Sequence, residues 1–136
     1  MKKEILFPDE PILLIEFYNS DKFKHCLFNG IEYEIIGEDD VENFIGIDSD
    51  EKVYYLDTAS DISIYMASDA ETLVKELELY KDYSVNYELS ENPSDEELQD
   101  YATNFRNKLE KLDFAAFNNE DTFWSFILEQ METEQL

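Results

Sequence analysis

The chain has 136 residues, with 34 Asp and Glu against 10 Lys and Arg, and a formal net charge of −24. Its length suits one domain that removes roughly two thirds of its unfolded surface from water, and ten Phe, nine Tyr and one Trp set it apart from acidic disordered tails, which lack aromatics. A surface this negative repels phosphate groups, which makes nucleic acid and anionic membranes poor partners and a basic protein the complementary one.

Cys26 is the single cysteine and has no internal disulfide partner, which favours a reducing compartment. The start, Met1 to Glu10, has three consecutive apolar residues before Pro8 and two acids, and does not read as a signal peptide. No apolar run approaches the ~18 residues of a membrane span. The expectation is a soluble, cytoplasmic protein.

In chain order, the apolar run Ile12 to Tyr18, between Pro11 and Asn19-Ser20-Asp21, predicts a buried strand. Lys22 to Phe28 ends in Asn29-Gly30, which fits either a hairpin turn or the left-handed stop of a short helix, with the helix preferred. Four β-prone runs follow, Ile31 to Ile36, Asn43 to Ile47, Lys52 to Leu56 and Ile62 to Met66, joined by short acidic turns that imply an antiparallel meander. In the first of them Ile31, Tyr33 and Ile35 share a face, with Glu32 and Glu34 on the other.

Ser68-Asp69-Ala70-Glu71 has capping-box spacing and predicts a helix with Ala70, Leu73, Val74, Leu77 and Tyr80 on its apolar face. After a break at Asn92-Pro93, Ser94-Asp95-Glu96-Glu97 repeats the signature ahead of Leu98, Tyr101, Phe105, Leu109 and Leu112. A last helix after Asn118-Asn119 carries Phe123, Trp124, Ile127, Leu128 and Met131, with acids expected in its first turn and fraying at the chain's end. No repeat, linker or composition shift divides the chain. The whole reads as a single α+β domain over residues 1–136, a twisted antiparallel sheet of about four to six strands packed against helices.

Catalytic chemistry finds little support. The one histidine, His25, precedes Cys26 directly, and adjacent side chains diverge on a helix or strand, so a Cys–His nucleophile pair is disfavoured. One His and one Cys exclude zinc unless carboxylates supply nearly every ligand, which structural zinc sites seldom do. Asp48-Ser49-Asp50 opens like a calcium loop, but Lys52, Val53 and Ala59 stand where such a loop needs an oxygen ligand, a glycine and a bidentate Glu. The nuclease-like Asp50-Glu51-Lys52, with Pro8-Asp9 upstream, and the pair Asp39-Asp40 are patterns that 34 acids produce by chance. Gly30, Gly37 and Gly46 are too dispersed for a phosphate loop. No catalytic, cofactor or metal residues are assigned.

The placement of charge says more. From Ile31 through Glu51 there are nine acids, Glu32, Glu34, Glu38, Asp39, Asp40, Glu42, Asp48, Asp50 and Glu51, and no basic residue, an arrangement better explained by a partner than by solvation. Residues 88–100 are also uncompensated, and no base follows Lys111. Tyr54, among interspersed tyrosines, suits a protein contact because its ring supplies area at low entropic cost. These nine acids and Tyr54 are the candidate partner-binding residues, with Glu38, Asp39, Asp40, Asp48, Asp50 and Glu51 as a steering edge.

The stretch Tyr33 to Asp40, then Phe44-Ile45-Gly46-Ile47-Asp48, Val53-Tyr54-Tyr55-Leu56-Asp57 and Ile64-Tyr65-Met66-Ala67-Ser68, resembles the SUKH superfamily, and is closest to its fourth immunity branch. Leu109-Glu110-Lys111-Leu112-Asp113, with Phe123-Trp124-Ser125 beyond it, is similar to that branch's closing segment. Asp113-Phe114 replaces the branch's Asp-Pro, and the Asp50-Glu51-Lys52 turn lacks its usual glycine. The resemblance implies a twisted antiparallel sheet backed by helices, and a bacterial immunity protein that binds a cognate polymorphic toxin, commonly a nuclease or nucleic-acid-modifying domain with a basic cleft. The alternative is a regulatory binding module of the same fold. A carboxylate enzyme or metal binder is the rival of another class, and oligomeric state is left open.

Overall fold

The computed structural model describes residue 7 and residues 12–88, 94–117 and 121–132. The breaks expected at Asn92-Pro93 and Asn118-Asn119 and the fraying expected at the chain's end lie outside them. Six strands, β1 (Glu16–Phe17), β2 (Lys24–Phe28), β3 (Ile31–Glu38), β4 (Phe44–Ile47), β5 (Val53–Asp57) and β6 (Ile62–Ala67), precede three helices, α1 (Ala70–Glu88), α2 (Asp95–Leu112) and α3 (Phe123–Glu132). The sheet is antiparallel throughout, in the order β1-β3-β4-β5-β6, and β2 shares the outer edge of β3 with β1. The expected meander and α+β class are therefore present.

The first two expectations need correction. Ile12 to Tyr18 is not one strand, because Leu13 and Leu14 adopt positive φ (56° and 63°) and close a tight turn in which Ile12 and Ile15 exchange backbone hydrogen bonds. Three residues apart on a strand, these isoleucines would face opposite ways, whereas the turn sends both into the main core. Lys22 to Phe28 is not a helix either. Only Ser20–Lys22 forms a single 3₁₀ turn, and β2 pairs with β3 through Asn29 and Gly30 at φ 52° and 79°, the type I′ signature of a two-residue hairpin. Tertiary pairing decided what local pattern left ambiguous.

One sheet face meets the helices. Ile36, Ile45, Val53, Ile64 and Met66 pack there with Leu73 and Leu77 of α1, Phe105 and Leu109 of α2, and Trp124, Ile127 and Leu128 of α3. Tyr80, Phe105, Phe123 and Trp124 form its aromatic centre, with ring centroids 5.2–6.3 Å apart. The predicted alternation in β3 holds through Ile35, but Tyr33 and Ile35 are buried on the opposite face, and a register shift between Ile35 and Gly37 brings Ile36 under the helices. Tyr33, Ile35 and Leu56 there make a second small core with Tyr18, Phe28, Phe44 and Tyr54. The hairpin curls over this outer face, and the Asn29 side-chain amide donates to the Asp61 carbonyl at the turn before β6.

Gly46 sits beneath that second core. A Cβ added there would lie 2.9 Å from the Tyr33 Cβ and 3.0 Å from a Leu56 methyl. Gly46→Ala is expected to lower stability by about 1–3 kcal/mol through overpacking, with little change in helix content, as urea unfolding followed by circular dichroism will show.

Helix starts follow the caps with two corrections. Asp69, rather than Ser68, caps α1, accepting from the Thr72 N–H at 2.7 Å, while the Ser68 hydroxyl donates to Thr72 Oγ1. Ser94 caps α2 as expected, accepting from Glu97 N–H at 3.2 Å. No acid lies in the first turn of α3, which Thr122 caps by accepting from the Ser125 N–H.

Candidate partner-binding surface

The β3–β4 loop is built around one carboxylate. Asp39 Oδ1 accepts from the N–H groups of Val41 (3.0 Å) and Asn43 (2.9 Å), and Oδ2 accepts from the Tyr55 hydroxyl. Asn43 donates to the Tyr55 oxygen at 2.8 Å and accepts from the Thr58 N–H at 3.0 Å, which joins the loop to the β5–β6 turn. Burial works against the Asp39 charge, but the hydrogen bonds from Tyr55, Asn43 and Val41 together outweigh it and hold the carboxyl below its ordinary range. Burial, with Asp39 as acceptor, pushes the Tyr55 hydroxyl up. The tip carrying Asp40, Val41 and Glu42 is thereby fixed in place and exposed, with Glu42 at φ 64°.

The β4–β5 turn repeats the device. Asp48 Oδ1 accepts from the N–H groups of Asp50 (2.9 Å) and Lys52 (3.0 Å), leaving Asp50 and Glu51 exposed at the tip, with Glu51 at φ 69°. The four residues of β4 separate the two loops, a span of about 13 Å. The predicted steering acids thus lie in two hydrogen-bonded loops at opposite ends of one strand. Glu38, half-buried at the end of β3, lies beside the first tip and close enough to Tyr18 to help burial raise that hydroxyl.

Glu32 and Glu34 stand apart on the hairpin, flanking His25 at 3.3 Å and 3.8 Å. Tyr54 lies half-buried on the outer face, edge-on to Tyr33 and Tyr65, and burial with the charges of Asp48 and Asp50 raises its hydroxyl. The ten candidates therefore fall into three groups and one aromatic. Asp39 and Asp48 act inward as loop supports, while Asp40, Glu42, Asp50 and Glu51 point outward.

Sequence reasoning missed a third acidic feature. Glu76 is fully buried on α1, and neither of its oxygens has a hydrogen-bond partner among the described residues. Burial, then Asp113 and Asp69, push its carboxyl up to about 10. Asp113, buried just past the end of α2, accepts from the Tyr65 hydroxyl at 2.8 Å and from the Ala115 N–H at 3.0 Å. Burial raises the Tyr65 hydroxyl, and hydrogen bonding to Asp113 adds to this. The available signal was spacing: Glu76 falls three residues after Leu73, inside the apolar stripe of α1.

Among the described residues no group of three or more His, Cys, Asp and Glu is placed to hold a metal, and no helix is long and apolar enough to cross a membrane. A groove of about 550 Å³ between α1 and α2 is lined by exposed Lys81, Asp82, Asn104 and Lys108, with the Lys108 ammonium 5.5 Å from the Tyr83 ring centre.

The family model described as SUKH-4 immunity protein matches residues 31–130. The chain belongs to the SUKH-4 immunity protein family. Comparison with curated proteins and with solved structures gives no match. The family match begins at the first residue of β3 and ends within α3, so both acidic loops, Glu76 and Asp113 lie inside it and β2 lies ahead of it.

Proposed function

We propose that this SUKH-4 protein is a non-enzymatic inhibitor that acts in the bacterial cytoplasm as one domain, binding a cognate toxin domain with a basic, nucleic-acid-directed active cleft. The observation that carries the reading is the nine-acid stretch from Ile31 to Glu51, unbroken by any base, within the residues that match the immunity family. Held tips carrying Asp40, Glu42, Asp50 and Glu51 offer fixed negative charge that needs little ordering on binding. Such a field steers a basic partner, lifting association towards ~10⁸ M⁻¹s⁻¹ at low salt, while Tyr54 and neighbouring aromatics supply contact area within an interface of about 1,600 Å².

Tagged protein used as bait in host lysate is expected to retain one basic protein, released at high salt, whose toxicity disappears when the bait is added back. Against that partner, the triple variant Glu38→Lys, Asp40→Lys, Glu42→Lys should slow association at least ~10-fold at low salt and flatten its salt dependence. Asp39 and Asp48 are kept because they hold the loops. Unchanged kinetics would remove the first loop from the interface, and several unrelated captured proteins would favour a regulatory module.

A further inference from the structure

The two edges of the sheet are finished differently. At β6 the Tyr65 hydroxyl reaches Asp113, and the 3₁₀ turn Phe114–Phe117 packs against the strand. At β2 nothing else among the described residues pairs with the strand beyond β3, and Lys24, His25, Cys26 and Leu27 are all exposed, Leu27 at 72%. Ile31, across the hairpin turn, is 49% exposed. An edge of this kind offers a row of unpaired N–H and C=O groups to another strand.

We propose that the free edge of β2 pairs with β2 of a second copy of this chain, antiparallel and centred on Cys26. Charge selects that occupant. Lys22, Lys24 and His25 are the charged residues between Lys22 and Ile31, and Glu32 and Glu34, which flank His25, belong to β3 one strand back, so two bodies of net charge −24 can meet strand to strand here without setting carboxylates directly opposite each other. A basic partner is drawn more strongly to the loop tips carrying Asp40, Glu42, Asp50 and Glu51.

The backbone selects the register. A two-residue hairpin closes on a hydrogen-bonded pair, here Phe28 with Ile31, so Phe28, Cys26 and Lys24 turn their backbone groups towards β3, and His25 and Leu27 turn theirs outward. Centring the new pairing on Cys26 sets outward-facing His25 against outward-facing Leu27 of the other copy, twice, which makes four hydrogen bonds. It also uses all five residues of the strand before the turn ends it. The two Cys26 residues then form the non-hydrogen-bonded pair, with Cα atoms about 4.5 Å apart, within the range a disulfide spans.

The test is sedimentation equilibrium of the whole chain under reducing conditions from about 1 to 200 µM, in low and in 0.5 M salt. The expected result is a reversible species of twice the 16.1 kDa chain mass, favoured by salt because screening weakens body–body repulsion. Toxin capture has the opposite salt dependence, so the two readings fail separately. Leu27→Pro removes an outward N–H that β3 does not use, and Cys26→Asp sets two carboxylates face to face; both variants should remain monomeric with unchanged circular dichroism. Diamide should link wild-type dimers through Cys26, two S–H bonds breaking and one S–S bond forming as its N=N bond takes up the two electrons and two protons. A monomer at 200 µM in both salts, dimerisation that survives both substitutions, or a monomer that loses toxin binding on Leu27→Pro would overturn the proposal.

Discussion

Glu76→Leu is expected to stabilise the protein by about 3 kcal/mol at pH 7, an unusual sign for a substitution at a fully buried site. The carboxyl, pushed up to about 10 in the fold, starts from an ordinary value of 4.5. Between those values the folded chain keeps a proton that the unfolded chain releases, so the wild-type protein loses about 1.4 kcal/mol of stability per pH unit as pH rises. The groups packed around it add no cation: Asp113 and Asp69 are acids, and the Tyr65 hydroxyl is already donated to Asp113. Leucine has similar bulk and removes both the ionisation and two unpaired oxygens. Glu76→Gln should remove the pH dependence while recovering less, since a buried amide still wants partners. Urea unfolding of the three proteins at pH 5.5, 7 and 8.5 checks this, and a gap that does not grow with pH would mean the carboxylate is ionised in the native state.

That costly residue shows how far the sequence could be read. The meander and the helices were legible because their apolar spacing has one reading each, 2 for Ile31 to Ile35 and 3.6 for Leu98 to Leu109. The first two segments were not legible, because Ile12 to Tyr18 is a short apolar run broken by a positive-φ turn that its composition does not announce, and Lys22 to Phe28 is a short mixed segment whose state depends on pairing with β3. The acidic stretch was visible as composition, but the division of labour within it was not. Nothing in the order Glu38-Asp39-Asp40 says that the middle carboxylate turns inward onto a tyrosine sixteen residues later. Glu76 escaped notice because a single acid on an apolar stripe normally reads as the stripe's boundary.

Asp39→Ala should cost about 3 kcal/mol and loosen the loop whose tip carries Asp40 and Glu42. It strips the acceptor from the Val41 and Asn43 N–H groups and from the Tyr55 hydroxyl at once, and hydrogen bonds to a charged group contribute more than neutral ones. Asp39→Asn, which keeps one carbonyl oxygen for the two N–H groups, should lose less. The pH signature separates this site from Glu76. A carboxyl held below its ordinary 3.8 contributes stability that is fully present above that value and fades only as pH falls through the lower folded one. The gap between wild type and Asp39→Ala should therefore stay constant from pH 5.5 to 8.5, over the range where the Glu76→Leu gap widens. In toxin binding the same substitution keeps Asp40 and Glu42 while removing the inward Asp39 carboxylate and the geometry it fixes, so dissociation should quicken while association changes little. A large fall in association rate would show that the Asp39 charge itself contributes to steering, in spite of its inward bonds.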